Sequence, residues 1–156
     1  MPENFVGQAL SPPGPVTASA LARLFLLCTV PLLSHAADRC PWINTATASG
    51  LLGSDVTARL TDTSCTFQSP QAELKIEVTT KPSTVPCPTG TPLKAIGNEA
   101  RLCDGSDHDG RWALVAGRVR DQFFTVRISS ADAAAQTADL REKARKAAEQ
   151  IAGILF

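Results

Sequence analysis

Hydrophobic and polar positions alternate along the middle of the chain and recur at helical spacing at its end. "DVTARLTD" puts Val56, Ala58 and Leu60 on one side, and "SCTFQS" does the same with Cys65 and Phe67. "AELKIEVTT" sets Leu74, Ile76 and Val78 against Glu73, Lys75, Glu77 and Thr79. A period of two marks half-buried strands. Strand character returns in "EARLCD", followed by a polar turn "GSDHDG", and then in "RWALVAGRV" and "FFTVRIS", whose short polar link "RDQ" makes the pair a hairpin. Between the two sets, "KPSTVPCPTGTP" from Lys81 to Pro92 holds four prolines, so it is expected to be a long loop, neither strand nor helix.

Helices are predicted at both ends of this run. Asn44 is placed to cap a short helix over "TATASGLL", with Ile43 stapled against Ala48, Leu51 and Leu52 on the same face, and Gly53 as the left-handed stop. Trp42 is expected to cover the open end of the core. From about Ala131, Leu140, Ala144, Ala147, Ala148, Ile151 and Ile154 or Leu155 recur at three- and four-residue spacing. That predicts a helix of about 24 residues, roughly 36 Å long, which exceeds an eight-residue strand of about 26 Å and should therefore cross the sheet diagonally. The fold class is α+β: an antiparallel meander sheet packed by a short N-terminal helix and a long C-terminal one. There is no internal repeat.

The N-terminal part reads differently. "LFLLCTVPLL", Leu24 to Leu33, is an apolar run after Arg23, and "SHA" at Ser34 to Ala36 presents small residues where a signal peptidase reads them. Residues 1 to 36 are therefore assigned to a leader and signal peptide, and residues 37 to 156 to a single exported domain. The run is about half the roughly 20 residues needed to span a bilayer, and Pro31 interrupts it, so no stable membrane insertion is expected after cleavage. "MPENFVGQALSPPGP" carries Glu3 where a signal would be basic, which suggests an overlong start or a disordered leader.

The chain carries 15 basic and 15 acidic residues, and removal of residues 1 to 36 leaves 14 of each. A protein that neutralises several phosphates concentrates an excess of Lys and Arg on one face, so balanced charge argues against nucleic acid and against an anionic membrane surface.

Cys28 leaves with the signal, and Cys40, Cys65, Cys87 and Cys103 remain, an even number in an exported chain. Two disulfides are expected, each worth on the order of 3 kcal/mol in the chain-entropy model. Of the three possible connectivities, Cys40 with Cys65 and Cys87 with Cys103 is favoured, because each pair joins segments that the strand pattern makes neighbours. No pair has the two-residue spacing of a thioredoxin-type site, and the cysteines lack zinc-ligand spacing. Lipidation of Cys40 needs a small residue before it, and Arg39 stands there.

"CPWINTATASGLLG", "CTF", "AIGNEARL" and the closing "VRIS" with its amphipathic helix occur in an order that resembles a family of small secreted bacterial cell-envelope domains of unknown function, many of them lipoproteins. The cues are a cysteine opening the domain, a helix ending in Leu-Gly, a second cysteine before a strand, a Gly-x-x-Ala turn at Gly97 to Ala100, and a C-terminal helix. They cover most of residues 40 to 155. The resemblance implies a periplasmic or secreted domain and carries no catalytic residues; the chain departs from the family at the lipid-attachment point.

Candidate chemistry is sparse. "DGSDHDG" gathers Asp104, Asp107, Asp109 and His108, an oxygen-rich set of a type that holds calcium. Position 105 is glycine where an EF-hand needs an acid, and a solvated hairpin turn explains the same residues. His108 is the only histidine left after cleavage and lies among acids, away from any serine, so a Ser-His-Asp site is not formed. Glu73 and Glu77 read as a polar sheet face. Arg118, Arg120 and Arg127 offer an anion-binding strip on the terminal hairpin, set against simple cross-strand pairing with acids. Phe123 and Phe124 point to opposite faces. Gly-rich phosphate loops are absent from the sequence, and no cofactor is called for.

These readings converge on an exported, non-catalytic cell-envelope protein that binds an envelope protein or a small ligand. The alternatives are a secreted inhibitor presenting the proline-rich loop around Cys87, and a calcium-binding domain using the Asp104 to Asp109 turn. The export reading predicts that the native protein begins at Ala37 when its N-terminus is sequenced; recovery of Met1, or of an acylated Cys40, would overturn it.

Overall fold

The side chain of Asn44 accepts a hydrogen bond from the Thr47 amide at 2.8 Å, and this cap starts helix α1, Thr45–Leu52. Gly53 ends it in the left-handed region at φ 77°, its amide bonded to the Ser49 carbonyl. Ile43 and Ala48 are both buried, and Trp42, half-buried, packs on the core edge, as the sequence predicts. These features come from a computed structural model that describes residues 39–81 and 87–156. The leader, the cleavage point after Ala36 and residues 82–86 of the proline-rich segment lie outside the described residues. The described residues belong to one compact unit that runs to Phe156.

Seven strands follow: β1 Thr57–Leu60, β2 Ser64–Gln68, β3 Ala72–Thr79, β4 Thr91–Leu93, β5 Glu99–Asp107, β6 Gly110–Val119 and β7 Gln122–Ser130. They form one antiparallel sheet in the order β1-β2-β3-β7-β6-β5-β4. The sheet is therefore two meanders, where the sequence reading had one. After β3 the chain crosses to the far edge and works back, so that β7 closes against β3.

Two details differ from expectation within the proline-rich segment and the following turn. Thr91–Leu93 is a strand, pairing Pro92 with Arg101, although the sequence reading made it loop. Proline is tolerated there because β4 is an edge strand with an unpaired side. The β5–β6 turn is also shorter than "GSDHDG": pairing continues through Gly105 to Asp107↔Gly110, leaving only His108 and Asp109 as the loop.

One face of the sheet carries the main core. Leu74, Ile76, Phe67, Val115, Phe124, Val126 and Ile128 are fully buried on it, each worth about 2 kcal/mol against exposure. Helix α2, Thr137–Leu155, lies over β5, β6 and β7 on this side, while α1 packs on β3. Leu140, Ala144, Ala147, Ala148, Ile151 and Ala152 are the buried positions of α2, and the four alanines let its backbone approach the strands closely. Leu155 joins the core edge and Ile154 points out.

The helix is 19 residues rather than about 24. Residues after Ala131 are used otherwise: the Asp132 carboxylate accepts from the Ala134 amide at 2.8 Å, its carbonyl accepts from Ala135, and Ser130 Oγ accepts from the Asp132 amide. This Asx turn competes with the helix for the same backbone groups. At about 28 Å, α2 matches a nine-residue strand of about 30 Å, so the length mismatch that motivated a diagonal crossing is not there.

Both disulfides have the favoured connectivity. Cys40–Cys65 joins the chain before α1 to β2 inside the main core, with Cα atoms 5.8 Å apart. Cys87–Cys103, at 5.9 Å, ties the proline-rich segment to β5 on the opposite face. Both separations suit a disulfide. Among the described residues, no helix is long and apolar enough to cross a membrane.

Ile151 is the most sensitive position of α2, being fully buried against the sheet. Ile151→Asp is expected to cost on the order of 4 kcal/mol by burying an unpaired carboxylate or lifting the helix. Thermal unfolding of the purified variant, or its loss from the soluble fraction, would show this; wild-type stability would refute the packing described.

Candidate functional site

The face of the sheet turned away from the helices is where the polar strand positions collect. The registers place them in rows across the strands. One row runs Gln68, Glu73, Ser129, Trp112, Gly105, and the next Thr66, Lys75, Arg127, Leu114, Cys103. A third runs Ser64, Glu77, Thr125, Ala116, Arg101. Their members on β3 and β7, with Gln68 of β2, form the floor of an open trough of about 870 Å³, bounded at one end by the Ser69–Gln71 turn and the His108–Asp109 turn.

The trough has an apolar wall. Leu114, Ala116 and Cys87 are buried in a second, small cluster on this face, with Trp112 and Cys103 packed against it. The disulfide lays Cys87 flat over β6, and the Arg101 guanidinium donates to the Gly90 carbonyl at 3.3 Å. Trp112 lies across the neighbouring strand, over Gly105. A Cβ at 105 would meet its ring carbons at 2.7 Å, so only glycine fits beneath it.

Charges in and beside the trough are largely paired among themselves. Arg127 donates to Asp107 at 2.6 Å and lies over the Trp112 ring, 5.1 Å from its centre. Lys75 pairs with Glu77 at 2.8 Å, and Arg118 with Glu99 at 3.0 Å. Asp107 also accepts from the Asp109 amide. The Arg127 hydrogen bond, reinforced by that amide, outweighs partial burial and holds the Asp107 carboxyl below its ordinary value.

The three arginines of the suggested anion strip do not converge. Arg118 and Arg127 each take an acid across the strands, the simpler alternative. Arg120 sits in the β6–β7 turn at φ 54°, its amide donating to Asn98 Oδ1 at 2.6 Å. Gly97, at φ 63°, packs against the Arg118 carbonyl and admits no side chain, which seats the "AIGNEA" segment on this turn.

The aspartates of the "DGSDHDG" stretch divide. Asp104 belongs to β5 and faces the helices, pairing with Arg141 of α2 at 3.3 Å. Asp107 faces the trough and is bound to Arg127. Asp107, His108 and Asp109 bring ligand atoms within 4.8 Å of one another, but all three are exposed, and His108 and Asp109 pair with each other at 3.1 Å. Glu73 is half-buried in the trough floor and Glu77 exposed in its salt bridge, the polar face expected of them. Phe124 is buried in the main core and Phe123 is half-buried on the other face.

No family model, curated protein or solved structure matches the chain.

The sequence reading passed over Trp112 and the wall beside it. The signal was present: "WALVAG" is apolar at consecutive positions, and a strand with no alternation is covered on both faces. Ala113 to Ala116 are accordingly all buried.

The Asp107–Arg127 pair sets a pH dependence. Because the folded carboxyl titrates below its unfolded value, its contribution to stability is complete above the unfolded value and is lost as pH falls through the depressed folded one. Asp107→Asn should therefore lower the unfolding temperature slightly at neutral pH, and the gap from wild type should close as the pH is taken below the carboxylate range. His108→Ala, at an exposed turn position, should stay within about 0.5 kcal/mol of wild type throughout. A gap that widened in acid would contradict the assignment.

Proposed function

We propose that this protein is an exported, non-catalytic binding module of the bacterial cell envelope, and that the open face of its sheet is the recognition surface. The observation that carries the reading is the unequal treatment of the two faces. One is closed by two helices over the main core, whereas the other keeps a polar trough with a tryptophan and an apolar wall at its edge. Sites that bind combine a few placed polar groups with aromatic and apolar surface in a concave setting.

Two disulfides support export, since such bonds persist in oxidising compartments. The order of features shared with secreted cell-envelope domains supports the same assignment. A non-catalytic role is supported by the placement of the single histidine of the described residues: the His108 side chain is 87% exposed on a turn tip, paired with a carboxylate and outside any enclosed cleft. Cys87 and Gly90 are seated against the sheet, which supports the scaffold reading.

Site-directed photo-crosslinking in the native envelope fraction tests the proposal. A photoreactive residue at Thr125, in the trough, should give a discrete adduct, and one at Gln150, on the exposed side of α2, should not. No adduct from Thr125, or the same adducts from both positions, would overturn the surface assignment.

A further inference from the structure

Two peptide bonds of the chain join an aspartate to a glycine, Asp104–Gly105 and Asp109–Gly110, and the fold requires the glycine in both. A Cβ at 105 would meet the Trp112 ring at 2.7 Å, and one at 110, where φ is 121°, would run into the Ser130 carbonyl oxygen. An aspartate before glycine is chemically weak. With no side chain to hinder it, the glycine amide nitrogen can attack the aspartate Cγ, closing a five-membered succinimide and expelling the carboxyl hydroxyl as water. Water then reopens the ring at either carbonyl, which restores aspartate or routes the main chain through Cβ as isoaspartate. No reactant other than water takes part.

The structure separates the two bonds. Asp104 lies inside the β5–β6 ladder, where Asp104↔Ala113 and Gly105↔Trp112 pair in register, and its carboxylate is drawn to Arg141 of α2 at 3.3 Å. Closing the ring turns ψ of the aspartate away from the extended value that a strand imposes, so the ladder around it has to open first. Trp112 also covers Gly105. Asp109 stands at the other extreme. It is one of the two residues of the β5–β6 loop, outside the ladder, with its side chain 68% exposed against 32% for Asp104, and its ion-pair partner is His108, itself exposed.

We infer that Asp109 is a site of spontaneous isomerisation to isoaspartate, and that the ladder shields Asp104 from the same reaction. The product keeps one carboxylate and the mass of the chain. It adds a methylene to the main chain of a two-residue loop, between the Asp109 amide that donates to Asp107 Oδ1 and the Asp107↔Gly110 pair that closes the hairpin. Because a side chain cannot be placed at 110, the weakness persists for as long as an aspartate stands at 109.

Peptide mapping of the aged protein tests this. After reduction and alkylation, trypsin releases both bonds in one peptide, Leu102–Arg111, and electron-transfer fragmentation tells aspartate from isoaspartate at each position. In folded protein held for weeks at mildly acidic pH, isoaspartate should accumulate at 109 roughly tenfold faster than at 104, or more. In the reduced, urea-unfolded chain the two positions should react at similar rates, since each is then an Asp-Gly bond in an open chain. Asp109→Glu, whose ring closure is one atom larger and far slower, should remove the modification from the folded peptide.

Equal accumulation at 104 and 109 in the folded protein would overturn the inference, as would none at 109 over a period that converts the unfolded chain. The same preference for 109 in urea would also refute it, because the difference would then lie in the neighbouring residues and not in the fold.

Discussion

Pairing of β3 with β7 is the constraint on which the molecule depends. It joins residues about fifty positions apart and is the seam between the two meanders. Each meander has its own local reinforcement: Cys40–Cys65 holds the first, and Cys87–Cys103 the second. Neither disulfide spans the seam. The two halves meet through the ladder from Ala72↔Ser130 to Thr79↔Phe123 and through the core beneath it, with α1 on β3 and α2 on β7 touching each other. Closing so long a loop before its contacts form makes this a late and slow step of folding relative to the hairpins.

Register along that seam decides both faces at once. Leu74↔Ile128, Ile76↔Val126 and Val78↔Phe124 fill the core, while Glu73↔Ser129, Lys75↔Arg127 and Glu77↔Thr125 alternate with them and floor the trough. A slip of β3 by one residue would exchange its two sets, turning Glu73, Lys75 and Glu77 into the core and a row of aliphatics toward water. The apolar set therefore fixes the polar set. The trough is a by-product of core packing in its position, although not in its chemistry.

Much of the architecture was legible because it follows from local rules. Asn44 and Gly53 bound α1 by their own conformational preferences, and strict alternation in "AELKIEVTT" announces a strand with one buried face. The disulfide pairing followed from the strand neighbours. What escaped was non-local or competitive. The jump from β3 to the far edge is invisible in a pattern that gives each strand but not its partner. The start of α2 was misjudged because alanine-rich residues 131–135 suit a helix, yet Asp132 captures their amides in a turn. Asp104 and Asp107 look like one cluster in sequence, but three residues apart on a strand means opposite faces, and each found its own arginine.

That division bears on where stability resides. The pairs on the trough face are exposed to about a third or more, and solvent-screened ion pairs of this kind contribute little to stability. The buried side chains and the disulfides carry far more, and they lie outside the trough floor. Substitutions at Gln68, Glu73, Lys75 or Thr125 should therefore leave the fold nearly as it is, since none removes a core contact or opens a cavity. Gly105 and Gly97 are different, because the ring of Trp112 and the carbonyl of Arg118 occupy the space a side chain would need. The open face thus combines a freely variable floor with a fixed rim. A scaffold of that kind can change what it recognises while the core that positions the floor stays the same.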